Sequence, residues 1–495
     1  MTAAGATLLD VFDEVLDSDA SREAFVQPGP AGAVVRITFG ELAQRSSALA
    51  GWLIDEHGVR PGDVVAIRLP SGIDYAVAYH ACVRAGAIAT GINPRLGATE
   101  VAHIVSTCDP TYVFVGALPA AGIADPGVRL VPCAPTDPVA IVWTGGTTGM
   151  PKGAWFDHGC LEAMTRGAAP LSEFGDRRLS PLPFAHVGFM TRAWDELSHR
   201  ITTIVAPTPW TAAGALHLIA HEGVTVCQGV PTQYRLMLDA PELADTDTSG
   251  LRIAGIGAAR IPPELVRQMR AELGCPVVVR YASTEASVAT GTRLDDSVET
   301  VCTTVGRPNG DVELEVIDAS GDQVPPGEIG TVCLRSRAQM RGYWDDPDRT
   351  AEAIDGDGWL HTGDLGWVGT DGNLRLSGRA TELYIRGGYN VYPIEVENCL
   401  GEHPAVAAGA ILGVDVEDRL GEIGVLFAVA RAGHELALDD LRRFVKERLA
   451  DYKAPDALVV VADLPLTTLG KVDKRALAQR AHQEARQWSR EFRRA

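Results

Sequence analysis

The sequence predicts an α/β protein: a large N-terminal domain of layered, parallel-rich sheets with helices and a small β-rich subdomain, then a smaller α+β domain. Three observations carry this. Strand-like apolar runs alternate with helical repeats through the first third of the chain. One such run, Val139-Ala140-Ile141-Val142-Trp143, feeds a loop of glycines and threonines from Thr144 to Gly153. Beyond Gly306 the texture turns to short alternating strands with Gly and Pro turns, and near Gly378 a new αβ pattern begins.

Length sets the scale. At 495 residues the chain exceeds the roughly 250–300 residues at which one hydrophobic core stops growing, so at least two domains are expected. Apolar content of 46% with 22% charged residues describes an ordinary soluble chain, and no uncharged run is long enough to span a bilayer. A net charge of −20 argues against a non-specific nucleic-acid surface. The nine cysteines are widely spaced and form no CxxC pair, which reads as thiols in a reducing cytosol. No signal peptide is evident at Met1–Asp10.

In chain order, Leu42, Leu49 and Leu53 repeat at helical spacing before the Gly62-Asp63 turn into the strand Val64-Val65-Ala66-Ile67. A helix follows through Tyr75 and Ala81, ending near Gly86, and Tyr112–Val115 reads as a strand. Further strands are expected at Ile201–Val205, Val224–Val226, Leu251–Gly257, Val277–Val279 and Val312–Val316. The domain boundary is expected at residues 379–382, between 1–378 and 383–495. In the second part Leu441, Phe444, Val445 and Leu449 form a helical stripe behind Asp439-Asp440.

The Thr144–Gly153 loop has the chemistry of a phosphate cradle. Gly145, Gly146 and Gly149 let backbone N–H groups turn inward, Thr144, Thr147 and Thr148 add hydroxyl donors, and Lys152 adds a mobile charge. It is not a Walker A loop, because Pro151 and Gly153 flank the lysine.

Read together with Thr38-Phe39, Gly62–Ile67, Tyr281–Glu285, Gly327–Gly330, Trp359–Asp364, Gly378-Arg379, Gly387–Asn390 and Gly470-Lys471, this loop makes the chain resemble the adenylate-forming ligases. That superfamily holds acyl-CoA synthetases, luciferases and peptide-synthetase adenylation domains. The resemblance implies two steps: a carboxylic acid and ATP give acyl-AMP and pyrophosphate, then a thiol takes the acyl group. It further implies that the phosphate loop contacts the β- and γ-phosphates, and that Glu285, with Thr148, holds Mg²⁺. Tyr281 would stack on adenine, Thr284 would meet the α-phosphate, and Gly257-Ala258-Ala259 would lie flat against adenine and acyl chain. Asp364, in a Gly-rich turn, would hold the ribose, and Arg379 would meet the ribose or phosphate. Lys471 would bridge the substrate carboxylate and the α-phosphate. A mobile C-terminal domain would pivot at Thr381 and present Gly387-Gly388 to the thiol.

Three positions depart from the superfamily pattern. Gly146 stands where many relatives carry serine, Ala282 where glycine is frequent, and Thr381 where aspartate or lysine is usual. His186 is read either as a gate or carboxylate contact beside the acyl tunnel or as a structural histidine. Val230, Thr232 and Ala282 are expected to line the acyl pocket. Ala185 and His186 follow Phe184, where amino-acid-activating relatives carry an aspartate, so an acid without an α-amine is favoured. Val187, Phe189 and Met190 nearby favour an apolar acyl or aryl group. Coenzyme A is the expected acceptor, with a carrier-protein phosphopantetheine and a non-catalytic nucleotide-binding scaffold as the other readings. A cytoplasmic monomer or homodimer is expected.

Overall fold

The computed structural model describes residues 5–29, 33–119, 131–144, 150–259, 261–386, 389–415, 422–467 and 472–481. Two units emerge: Met1–Leu314 with Cys333–His361, and Glu315–Val332 with Thr362–Ala495.

The first unit is built on two sheets. One has six strands in the order Gly342–Tyr343, Lys152–Asp157, Pro138–Thr144, Ile88–Gly91, Val64–Arg68, Tyr112–Val115. Its last four are parallel, and Val64–Ile67 is buried along its length, as a strand covered on both faces must be. The other has nine strands: Arg307–Pro308, Ser287–Gly291, Val277–Ser283, Ile253–Gly257, Val226–Gly229, Arg177–Ser180, Thr202–Val205, Glu23–Pro28 and Val34–Thr38. Its centre is parallel, from Val277–Ser283 through to Glu23–Pro28, with antiparallel strands at both edges.

The helix Ile73–Arg84 explains how the sheets are joined. Every residue in it except Asp74 is buried, the pattern of a helix with no solvent face. It touches Val64–Arg68 and Ile88–Gly91 of one sheet and Glu23–Pro28 of the other, so it lies between them. The helix Phe39–His57 beside it begins with a capping box and stops at Gly58, whose φ of +66° suits a left-handed cap. Leu42, Leu49 and Leu53 are all buried on it, as their spacing predicts. The strand expected at Val224–Val226 starts at Val226; Thr225 before it is tied in by its backbone, its N–H donating to the Arg177 carbonyl at 2.9 Å.

The second unit is α+β. Residues 313–379 contribute a four-stranded sheet in the order Glu313–Ile317, Gly330–Arg335, Leu360–Val368, Leu374–Arg379. A three-stranded sheet follows, Val406–Asp415, Glu422–Ala430 and Ala457–Val460. Leu441 and Val445 of the helix Leu438–Lys446 are buried in a core with Val396, Leu400, Ile411 and Leu426, and Phe444 and Leu449 pack against it. Phe427 and Val425 face the other side, where Leu477 and Ala481 cover them. The fold is therefore α/β, with a large N-terminal domain of mixed sheets and helices and a smaller α+β C-terminal domain. Among the described residues no helix is long and apolar enough to cross a membrane.

Candidate active site

The strands on either side of residues 145–149 pair antiparallel. Thr144 ends one strand and Lys152 begins the next, paired opposite each other. Trp143 fixes the outgoing strand by donating its indole N–H to Thr90 Oγ1 at 2.7 Å. Gly153 brings the returning strand close, since a Cβ there would stand 2.8 Å from Ile141 Cγ2. Gly145, Gly146, Thr147, Thr148 and Gly149 lie outside the described residues.

Lys152 and Glu285 meet through a third residue. The Lys152 ammonium lies 4.7 Å from the centroid of the Tyr343 ring, and Tyr343 donates its hydroxyl to Glu285 Oε1 at 3.0 Å. Burial and then the Glu285 charge push the phenol's pKa up, which keeps it a donor. The Glu285 carbonyl accepts the Met340 amide at 2.8 Å, and Trp344 N–H donates to the Gly153 carbonyl at 2.7 Å. The segment 340–344 thus ties the strand Lys152–Asp157 to the Glu285 turn. A carboxylate with one oxygen oriented by a phenol is a hard oxygen ligand of the kind Mg²⁺ takes.

That turn grows from the strand Val277–Ser283. Tyr281 on it is buried and sits opposite Thr290, and Ala282 pairs with Val288 across a bulge. Ser283 Oγ accepts the Ala286 amide at 3.0 Å, closing the turn that holds Thr284 and Glu285. On the neighbouring strand a Cβ at Gly257 would stand 2.6 Å from the Arg280 carbonyl oxygen, so only glycine fits. Ala258 follows with φ at +65°, a left-handed conformation costing an alanine about 1–2 kcal/mol, and Ala259 is exposed beyond it. These residues stand at carboxyl ends of parallel strands, where α/β sheets bind ligands.

His186 caps the short helix Val187–Met190: its Nδ1 accepts the Gly188 amide at 3.2 Å, which places the ring proton on Nε2. Phe184 and Phe189 on either side stack at 3.7 Å, with Tyr75 edge-on to both. Val230 is buried at the head of the helix Pro231–Leu238 and donates its N–H to Gln233 Oε1 at 3.0 Å; Thr232 lies in the first turn. Ala185 is buried, with no carboxylate at its position.

In the second unit Asp364 and Arg379 are cross-strand neighbours, and Arg379 Nε donates to Asp364 Oδ1 at 2.9 Å. Asp364 lies within the strand Leu360–Val368; the Gly-rich turn expected there is reduced to Gly363, with φ at +71° inside the strand. The Ala380 amide donates to the Gly363 carbonyl at 3.0 Å, and Thr381 is exposed just beyond. Gly387, Gly388 and Lys471 lie outside the described residues. The described chain flanking Lys471 is held: Leu466 bridges Val472, and Asp473 N–H donates to the Pro465 carbonyl at 2.7 Å. Lys474 Nζ meets Glu382 at 2.6 Å and Glu397 at 3.4 Å.

Residues 12–344 match the family described as AMP-binding enzyme, and residues 395–471 match its C-terminal domain. The chain belongs to this family. It is an adenylate-forming ligase, of the kind that activates an acid as its acyl adenylate. A (7a-methyl-1,5-dioxo-octahydro-1H-inden-4-yl)propanoyl:CoA ligase of Mycobacterium tuberculosis is 37% identical, over 90% of this chain and 94% of its own. The fatty acid–acyl-carrier-protein ligase ScoC of Streptomyces coeruleorubidus is 31% identical, over 90% and 91%. ATP-bound MatB from Rhodopseudomonas palustris superposes with a TM-score of 0.87 at 27% identity, covering 96% of this chain and 99% of that one.

In this adenylate-forming ligase the residue that sequence reasoning missed is Tyr343. Its only local signal is the preceding Gly342, where a Cβ would stand 2.8 Å from Thr350 Cγ2. Its partner Glu285 is 58 positions away.

Proposed function

We propose that this adenylate-forming ligase couples a carboxylic acid lacking an α-amine to coenzyme A at the expense of ATP. The observation that supports the reading is the convergence of Lys152 and Glu285 on Tyr343, a cation and a carboxylate at one place, as a phosphate and its metal ion would require. In the first step a carboxylate oxygen attacks the α-phosphorus and pyrophosphate leaves. Thr144, the 145–149 loop and Lys152 take the charge that departs with it. Glu285, with Thr148, would hold Mg²⁺ against the phosphates. Tyr281 and the Gly257–Ala259 turn take the adenine, Thr284 the α-phosphate, and Asp364 with Arg379 the ribose. Lys471 draws the two anions together. No general base is required, because the acid is ionised at neutral pH. His186, Val230, Thr232 and Ala282 border the acyl group.

In the second step the thiol attacks the acyl carbon and AMP leaves. Residues 379–382, with Thr381, act as the hinge between the 1–378 domain and the 383–495 domain, and Gly387-Gly388 border the thiol. Coenzyme A as acceptor is supported by the Mycobacterium tuberculosis relative, itself a CoA ligase. The second reading, transfer to a carrier-protein phosphopantetheine, is supported by the relative ScoC. Pyrophosphate release with ATP, Mg²⁺ and a panel of acids tests the first step. Mass spectrometry of reactions offered free CoA or a holo-carrier then separates the acceptors; acylated carrier with no acyl-CoA would remove the CoA reading.

A further inference from the structure

The nine-stranded sheet carries an excess of buried positive charge on one face. Leu179, Cys227 and Val279 enter the core beneath the helices Ala212–His221, Pro231–Leu238 and Pro263–Leu273. Side chains alternate along a strand, so Arg178, Gln228 and Arg280 project from the opposite face. That face also holds Val226, Ile253 and Val278, which pack on Leu171.

Arg178 is 2% exposed. Its Nη2 donates to Ser172 Oγ at 2.6 Å and to Asp195 Oδ2 at 3.1 Å, while Nε and Nη1 have no hydrogen-bond partner. Arg280 is 8% exposed and, among the described residues, donates to neutral groups: Asn309 Oδ1 at 2.8 Å and the Ala168 and Ala169 carbonyls. Arg192 reaches the same face from the segment after His186. Its Nη1 is 3.5 Å from Gln228 Oε1 and 4.0 Å from Asp195 Oδ2, both at the limit of a useful contact. Asp195 Oδ2 is already engaged by Arg178 and by Ser172 at 2.8 Å, and its Oδ1, which accepts no hydrogen bond, stands 3.1 Å from His199 Nδ1. Glu196 is occupied by Thr203 at 3.0 Å, and burial pushes its carboxyl up to about 7. Arg178 and Arg192 therefore share Asp195, Glu196 lies beside them with its carboxyl pushed up by burial, and Arg280 has no acidic partner among the described residues. Burying charge without its complement is expensive, and these cations are placed to receive one.

Their position says what would complete them. Gln228 lies opposite Gly255, two residues before Val230 and on the strand beside the one ending in Gly257-Ala258. Arg280 lies opposite Gly257 and immediately precedes Tyr281-Ala282. The cationic face thus borders the residues assigned above to the acyl group. Phe189 and Met190, by contrast, are core: Phe189 stacks on Phe184, and the Met190 carbonyl accepts the Tyr79 hydroxyl at 2.7 Å.

We propose that Arg192 is a specificity residue that binds a second carbonyl oxygen of the acid, a ketone or a carboxylate remote from the reacting carboxyl group. This rests on the function proposed above and narrows its substrate class. An acid bearing such an oxygen gives the guanidinium a close partner where a plain alkyl or aryl acid leaves it with those two long contacts.

Acyl sulfamoyladenosines, which mimic the adenylate and need no turnover, test this by calorimetry. Each of two skeletons, one linear and one cyclohexyl, is made plain, with a far ketone, and with a far carboxylate. The unaltered protein should bind an oxygen-bearing analogue about tenfold or more tighter than its plain counterpart, the ketone and carboxylate arms showing which oxygen is read. Arg192→Met should abolish that preference while leaving the plain analogue's Kd unchanged, and Arg192→Lys should restore part of it. Equal or tighter binding of the plain analogues by the unaltered protein overturns the proposal, whatever the variants do. Failure of all analogues to bind overturns the adenylate reading itself, and this proposal with it.

Discussion

Tyr343 donates its hydroxyl to Glu285 at 3.0 Å and carries the Lys152 ammonium 4.7 Å from its ring centroid. One aromatic residue thus fixes a cation by its face, worth about 0.5–2 kcal/mol, and a carboxylate by its edge. A phenol held protonated by burial and by Glu285 itself keeps that carboxylate in one orientation.

Tyr343→Phe keeps the ring beneath Lys152 and removes only the hydrogen bond to Glu285. A hydrogen bond to a charged group is worth about 1.5–3 kcal/mol, so adenylation should slow by about tenfold to a hundredfold. The Mg²⁺ concentration for half-maximal pyrophosphate release should rise. An unchanged Mg²⁺ requirement would show that Glu285 is not the metal ligand.

Thr38 offers the opposite kind of prediction. Its Oγ1 accepts the Glu41 amide at 3.1 Å, and its own amide donates to Glu41 Oε2 at 2.8 Å. The early Thr38–Leu42 motif is therefore a helix start. Thr38→Ala should lower stability by about 1 kcal/mol in urea unfolding and leave kcat and KM as they are. A change in KM for ATP would contradict this.

What was legible in the sequence follows from how local the signal is. The run Val139–Trp143 and the helix around Leu42, Leu49 and Leu53 declare themselves by period, and burial agrees. Asp364 reads as a turn because Gly363 precedes it, yet pairing with Arg379 draws it into a strand, a contact between residues 15 apart. Arg178, Arg192 and Asp195 look like surface charges in a list of residues. Alternation along the strand Arg177–Ser180 puts Arg178 inside, at 2% exposed, and the helix Ala193–Ser198 brings Asp195 against it, at 3%.

Glu196 gives a pH signature. Burial, partly offset by Arg178, raises its folded pKa to about 7 from an ordinary 4.5. Between those values the folded state keeps a proton that the unfolded chain has lost, so this group's stability contribution falls as pH rises through about 7. His80 and His158 act in the opposite sense. Burial lowers them to about 3 and 4, so their contribution is full above about 6.5 and is lost as pH falls. Glu196→Gln isolates the first effect. Relative to the unaltered protein its stability should improve on going from pH 5 to pH 8, by on the order of a few kcal/mol. A pH-independent difference in urea unfolding would mean Glu196 is ionised throughout.

Lys471→Ala tests the division of labour between the half-reactions. Its flanks are fixed from both sides, by the Leu466–Val472 bridge and by Lys474 on Glu382 and Glu397. The substitution should therefore leave the melting temperature close to that of the unaltered protein. An ammonium bridging carboxylate and α-phosphate acts only while the P–O bond forms, so pyrophosphate release should fall by about a hundredfold or more. Thioester formation from supplied acyl-AMP and CoA needs no such bridge and should stay within about threefold of the unaltered rate. Equal loss of both steps would assign Lys471 to nucleotide binding. Loss of the second step alone would place it with the thiol.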